Sequence, residues 1–339
     1  MKRRPLASGT RTPFVARGAA HERNVNAAPT RIGAVADIGS NSIHLLVAVT
    51  DGRRLGSLTD ESIPSELGRL VERREEIGGR ATSGVIEALE RFHSRALRLG
   101  AGSLTVVATE PLRRAKDRSN VVKEIRGRLG LEPIVLEHEE EGLLTVLGLI
   151  HPHDRSTPII VGDIGGGSTE IVRLTPGRSP VAQGFSIGSA RLMARVNYAD
   201  PPKLREWRAL RDHAQTAFSA LPSGDATQLV LVGGTATRLL KLVPETLLSH
   251  AVRPTDLRLM GERLASLSSA EISGAFAISE RRARLLPAGL AILEALLQQT
   301  GVTDLRVDRG GIREGVIVAE ALGGSEWRAA LGELVRAQR

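Results

Sequence analysis

Two short segments of the chain bring a carboxylate, glycines and hydroxyls together in the same order. Asp37-Ile38-Gly39-Ser40-Asn41-Ser42 and Asp163-Ile164-Gly165-Gly166-Gly167-Ser168, the second followed by Thr169, each begin with an aspartate that closes an apolar run. Glycines in such a turn let backbone N–H groups converge on an anion that side chains would otherwise exclude. Ser40, Ser42, Ser168 and Thr169 add hydroxyl donors. Asp37 and Asp163 supply the hard oxygen ligands that suit a magnesium ion, which keeps much of its water and shares the rest with phosphate oxygens. One such turn alone reads as an ordinary hairpin. Two copies, each at the head of a half of the chain, point to a duplicated phosphate-gripping hairpin with a cleft between the halves.

The flanking pattern supplies the elements that must hold these turns. Ile32–Asp37 and Ile43–Val49 read as strands on either side of the first turn, with another strand over Arg54–Thr59. Residues 62–79 are charged and read as irregular. Val85, Leu89, Phe92, Ala96 and Leu99 recur at helical spacing, and Gly100 stops that helix. Leu104–Thr109 is a short strand, Asn120–Leu129 a helix and Ile134–Leu136 a strand. Glu139-Glu140-Glu141 opens a helix running to about Ile150, which His151-Pro152-His153-Asp154 breaks. The second half restarts with strands at Ile159–Asp163 and Thr169–Leu174. It then reads as mostly helical, apart from strands at Leu229–Val232 and Leu305–Val307. This is a mixed α/β chain in two related halves.

Bulk composition narrows the function classes. The 339 residues are enough for two domains, and a 41% hydrophobic content can build a core in each. Aromatics are only 2%, which argues against nucleic acid gripped by stacking. The absence of cysteine removes thiolate metal sites and cysteine nucleophiles, and fits a reducing, cytoplasmic setting. The net charge of +8 is local: Lys2, Arg3, Arg4, Arg11, Arg17, Arg23 and Arg31 against Glu22 account for about six of the eight charges. Residues 1–30 read as a disordered basic tail without the apolar segment of a secretory signal. No apolar run is long enough to span a membrane.

The paired turns resemble the two phosphate loops of the actin, sugar kinase and heat-shock chaperone superfold, and Leu231-Val232-Gly233-Gly234-Thr235-Ala236-Thr237-Arg238-Leu239 resembles its third signature. Further segments resemble the exopolyphosphatase / guanosine pentaphosphatase (Ppx/GppA) family in its short, two-domain form. They are Asp37 to His44, Ala108-Thr109-Glu110-Pro111-Leu112-Arg113, Glu140-Glu141, Asp163 to Glu170, Ser186 to Leu192, and Gly311-Ile312-Arg313-Glu314-Gly315-Val316. They occur in the family's order from Arg31 to about Gly323.

The resemblance implies a two-domain actin-like ATPase (ribonuclease H-like) fold and attack of water on a terminal phosphoryl group. It implies that Glu141 is the general base, that Arg113 pairs with phosphate oxygens, and that Asp37, Asp163 and Glu170 hold Mg2+. Ser40, Asn41, Ser42, Gly165, Gly166, Gly167, Ser168 and Thr169 would bind substrate, either inorganic polyphosphate or guanosine pentaphosphate. A binding protein that senses such anions without turnover is the rival reading, and a homodimer is compatible with all of these. Arg191, Arg238, Arg281, Arg282 and Arg284 are candidates to guide a long anion. His44 reads as a core histidine, and Arg313 with Glu314 as residues that fix the domain junction. Two departures stand out: Glu110-Pro111 where the family has a small polar residue and Ala, and Glu137-His138 where it has a Ser-Gly turn. The expected organisation is a first domain over 31–139, a second over 140–322, and a C-terminal helix over 323–339 returning to the first.

Overall fold

A computed structural model describes residues 30–150 and 156–338. The expected basic tail (all but Thr30) and the expected break at His151-Pro152-His153-Asp154 lie outside the described residues. Strands β1 (Arg31–Ile38), β2 (Ser42–Thr50), β3 (Leu55–Pro64), β4 (Thr105–Ala108) and β5 (Ile134–Val135) form one sheet in the order β3-β2-β1-β4-β5. Strands β6 (Ile159–Ile164), β7 (Thr169–Leu174), β8 (Val181–Phe185), β9 (Gln228–Val232), β10 (Ala251–Val252) and β11 (Asp304–Val307) form a second, ordered β10-β11-β9-β6-β7-β8. Each sheet carries a three-stranded antiparallel meander, β1-β2-β3 or β6-β7-β8. The first strand of each meander then pairs in parallel with a later strand, β4 or β9. This is the duplicated actin-like architecture that the sequence implies.

Helices cover both faces of each sheet. In the first half, α1 (Leu67–Arg74), α2 (Gly79–Arg98), α3 (Glu110–Arg114) and α4 (Arg118–Leu129) surround one face, and Phe92, Leu89, Ile125 and Leu112 are fully buried there with Ile38, Ile43 and Leu45. In the second half the helices are α6 (Ser189–Val196), α7 (Leu204–Phe218), α8 (Gly233–Lys241), α9 (Thr246–Ser249), α10 (Pro254–Ser266), α11 (Ser269–Phe276), α12 (Glu280–Ala283) and α13 (Leu286–Thr300), with α5 (His138–Leu147) preceding them. The apolar helix α13 lies at the centre of that core.

Between the sheets run α5 and α14 (Ile312–Gly323), followed by α15 (Leu331–Ala337). Helix α5 packs on β6, β7 and β8, α14 packs on β1 and β2, and the two helices pack on each other. One cluster therefore joins Val35 and Leu46 of the first sheet, Leu144 and Val316 of the crossing helices, and Val161 and Val230 of the second sheet. The backbones touch at the crossing. A Cβ on Gly315 would lie 1.9 Å from the Leu144 carbonyl oxygen, and one on Gly148 would lie 2.0 Å from that of Gly311. Helix α15 closes the cluster through Leu331 and Val335, against α5 and α14, with Trp327 of the preceding turn beside them.

Several local readings of the sequence are corrected. Residues 62–79 are not irregular: β3 continues to Pro64 and α1 follows. Its apolar side is only Leu67, Leu70 and Val71, a single turn's worth of helical spacing hidden among charges. Strand β8 was missed because its edge position exposes Val181 and Gln183 and leaves no clear alternation. The five-residue α3 was missed because it is too short to show a period.

Candidate active site

The two turns are built by the same backbone device. In the first, Gly39 N–H donates to the Ser42 carbonyl (3.2 Å), and in the second Gly165 N–H donates to the Ser168 carbonyl (3.0 Å). The outward carbonyls are occupied by the start of a following helix. Gly68 N–H, in the first turn of α1, donates to Ser40 O, while Ser65 and Glu66 N–H donate to Asn41 O. Ser189 N–H, opening α6, donates to Gly165 O, and Ala190 and Arg191 N–H donate to Gly166 O. With their carbonyls turned away and tied, the loops leave their N–H edges for the cleft, as an anion cradle requires. The loops meet at Asn41 and Gly166, where a Cβ on Gly166 would stand 2.3 Å from the Asn41 amide nitrogen.

The cleft between them has a volume of about 510 Å³ and is lined by both loops, Asp37, Asp163, Glu141, Glu170, Thr235 and Arg238. Strand register places Asp37 opposite His44 and Asp163 opposite Glu170. The two aspartates are half-buried in the cleft wall, near enough for the charge of Asp163 to act on Asp37. Burial, and then the charges of Asp163 and Glu314, push the Asp37 carboxyl up to about 7, although Arg313 opposes this. Burial and the Glu314 charge raise Asp163 to about 6. Asp163 rests on Gly233, whose φ of +85° and missing side chain admit it: a Cβ there would lie 2.2 Å from Oδ1.

Glu141 projects from the first turn of α5, capped by Glu137 and Glu140. It is 3% exposed and accepts a hydrogen bond from Arg113 Nη1. Burial, and then the nearby Glu170, hold its carboxyl well above the usual range against the pull of Arg113. Arg113 also donates to the Leu136 carbonyl (2.6 Å) and lies 4.0 Å from Glu170. Burial followed by the Asp163 charge raises Glu170 to about 8, while a hydrogen bond from Ser168 lowers it. The Glu137-His138 departure now has a place. His138 Nδ1 lies 2.8 Å from Glu170 and 3.0 Å from Arg113, and burial, reinforced by Arg113, keeps the ring neutral with a pKa of about 4.

A divalent cation fits this donor set. Asp37 Oδ1 is buried with no hydrogen-bond partner, and three carboxyls are held above their ordinary range by burial and by one another. Among the described residues no three carboxylates or imidazoles are drawn close enough to cage a metal unaided.

The remaining readings sort by position. Ser42 accepts from Arg282 (3.2 Å), Asn41 O from Arg281 (3.0 Å), and Thr169 donates to the Ile187 carbonyl (2.6 Å). Arg238, Arg281 and Arg282 line the cleft, whereas Arg284 stacks on Tyr198 at 4.4 Å and donates to the Ala199 carbonyl. His44 is half-buried and lines the cleft rather than sitting in the core. Sequence reasoning missed Arg309 and Asp60 in the lining; single charges in loops and edge strands carry no periodic or motif signal. Arg313 bridges Asp60 of β3 and the Leu45 carbonyl, and Glu314 is buried behind it.

The profile of the Ppx/GppA phosphatase family matches residues 35–323. The chain belongs to that family. Among curated relatives, Exopolyphosphatase 1 of Mycobacterium tuberculosis (strain H37Rv) is 28% identical over 308 residues, covering 85% of this chain and 87% of that protein. The Mycobacterium leprae protein of the same name is 28% identical over 306 residues, covering 85% and 88%. Among solved structures, the Aquifex aeolicus member of the Ppx/GppA family superposes with a TM-score of 0.74 at 25% identity, covering 88% of this chain and 99% of that one. An exopolyphosphatase from Cytophaga hutchinsonii shares the fold with the same TM-score at 19% identity, covering 86% and 98%. Both loops that border the cleft lie within the residues matched to the Ppx/GppA family.

Proposed function

We propose that this Ppx/GppA family member is a magnesium-dependent exopolyphosphatase that releases orthophosphate from the end of inorganic polyphosphate. The observation that carries this reading is the placement of Glu141. It is a buried carboxylate with raised proton affinity, paired with Arg113 and facing a cleft floored by two backbone anion cradles. The exopolyphosphatases among the relatives support the substrate class.

Phosphoryl transfer needs in-line positioning and charge neutralisation more than covalent help. The Gly165–Thr169 loop receives the terminal phosphoryl group on its N–H edge, with Ser168 and the Ser40–Ser42 loop fixing it from the other half. Glu141 takes a proton from the attacking water, a task for which a carboxyl shifted toward neutrality is well matched. Arg113 meets the developing negative charge on the phosphoryl oxygens. Asp37, Asp163 and Glu170 would hold Mg2+, which neutralises phosphate charge when bound.

The test is phosphate release from long-chain polyphosphate with magnesium, with guanosine pentaphosphate as the competing substrate. Glu141→Gln is expected to lower kcat by about 10²–10⁴-fold while substrate binding persists. Unchanged turnover would remove Glu141 from the mechanism. Hydrolysis of guanosine pentaphosphate in preference to polyphosphate would reassign the substrate, and binding without turnover of either would leave a sensor.

A further inference from the structure

Glu110 is a carboxylate in a place built for anions. It follows Thr109 at the end of β4, opens α3, and its side chain is 4% exposed. Ser40 of the first loop donates to its Oε2 at 2.8 Å. Its Oε1 accepts from Arg114 Nη1 at 2.8 Å and from Arg191 Nη2. The carboxylate lies against the second loop at Gly167, where a Cβ would stand 2.2 Å from Oε2. A loop hydroxyl, two guanidinium forks and a bare glycine backbone are the partners that a phosphoryl oxygen would take.

The surrounding charges are balanced. Glu72 of α1 pairs with the same two arginines, sharing Arg114 Nη1 at 2.9 Å and meeting Arg191 Nε at 3.4 Å. Glu72, Glu110 and Arg114 come from the first half and Arg191 from the second, so the set spans the cleft. Arg191 grows from the helix start whose N–H groups support the second loop, and its guanidinium ends beside that loop. Neighbouring Arg113 instead reaches Glu141. Two adjacent arginines thus serve carboxylates at different ends of the site.

We propose that Glu110 is an internal anion that fills a phosphoryl position at the junction of the two loops, withholds Arg114 and Arg191 from substrate, and so sets how many phosphoryl groups of a phosphoanhydride chain the cleft can seat. The proposal rests on the reading of this cleft as a phosphoanhydride site. Removing the carboxylate leaves two arginines facing only Glu72, and converts the position into an added anion subsite.

The test is calorimetric titration of orthophosphate into the wild type, Glu110→Ser, the isosteric Glu110→Gln and the double variant Glu110→Ser/Arg191→Ala at one fixed salt concentration, with thermal melts of each. Like charges placed side by side disfavour binding strongly, so Glu110→Ser is expected to bind orthophosphate at least about tenfold more tightly. Glu110→Gln follows in the same direction, and the double variant loses the gain. With polyphosphate, KM falls more than kcat changes, a split that loosened packing does not produce. No gain in either folded single variant, or a gain that survives loss of Arg191, overturns the proposal. Polyphosphate hydrolysis by the wild type without any such gain leaves the enzyme reading standing and this one refuted. A gain in a protein that hydrolyses neither polyphosphate nor guanosine pentaphosphate does the reverse.

Discussion

The two halves of the molecule build their phosphate loops with the same backbone and furnish them differently. Both loops close on one N–H···O bond between the glycine and the residue three positions on, and both hang from the first N–H groups of the next helix. In the first half the loop is tied down: Ser40 donates to Glu110 of the same half, while the Asn41 carbonyl and the Ser42 hydroxyl accept from Arg281 and Arg282 across the cleft. In the second half Ser40 and Asn41 are matched by Gly166 and Gly167, which present bare backbone, and Ser42 by Ser168. Opposite its aspartate the first hairpin carries His44 and the second Glu170. Burial, with Arg313 and Arg282 nearby, holds His44 down at about 4, whereas Glu170 is pushed up to about 8. Duplication supplied one cradle twice; side chains then made one copy a clamp and the other an acidic cradle.

The largest test of that division lies in the glycines behind the loops. A Cβ on Gly188 would stand 2.5 Å from the Gly166 carbonyl carbon and Gly167 nitrogen, backbone that cannot move without moving the cradle. The matching Cβ on Gly68 would meet the Ser40 side chain at 2.8 Å. Gly188→Ala is expected to cost about 10²-fold in kcat through misplacement of the second loop. Gly68→Ala is expected to cost about 1–3 kcal/mol of stability with a smaller loss of rate. Equal kinetic losses, read by phosphate release and denaturant melts, would mean that the loops share one role.

Next in size is the pH dependence of the melting temperature, measured with a chelator. Glu170 binds its proton more tightly folded (about 8) than unfolded (4.5), so its contribution to stability is greatest below 4.5 and declines as pH rises to about 8. His44 has the opposite sign: its folded value of about 4 lies below the unfolded 6.5, so stability is full above 6.5 and is lost as pH falls toward 4. Glu170→Gln should therefore raise the melting temperature at the alkaline end of its window by on the order of a few degrees, and His44→Gln should do so at the acid end. Magnesium added to the wild type should erase much of the alkaline decline. Profiles that respond alike to both substitutions would break the contrast.

The smallest effects concern the serines that close the loops. Ser168 donates to Glu170 and is 4% exposed, so Ser168→Ala should cost about 1 kcal/mol and shift the Glu170 titration upward. Ser42 accepts from Arg282 at 3.2 Å, and the guanidinium can turn to water, so Ser42→Ala should stay within about 0.5 kcal/mol. A larger loss at Ser42 would make the clamp a support of the fold as well as of the site.

Much of this was legible in the sequence because it depends on local pattern. The strand–turn–strand units around Asp37 and Asp163, the long amphipathic α2 and the acidic start of α5 each declare themselves within a few turns of chain. Their recurrence in order was enough to imply a duplicated fold with a cleft between two cradles, whereas Glu141 came only from the likeness to the Ppx/GppA family. Tertiary structure alone decided what those residues meet. The charged stretch before α2 became a helix because Leu67 and Val71 found a core and Gly68 found a loop carbonyl to hold. Glu110 was visible as an odd acid beside an anion site, but Ser40, Arg114 and Arg191, brought together from three separate segments, turned it into part of that site. Charge and burial are properties of neighbours in space, so the proton affinities of Asp37, Glu170 and His44 arise only once two distant halves of the chain enclose them.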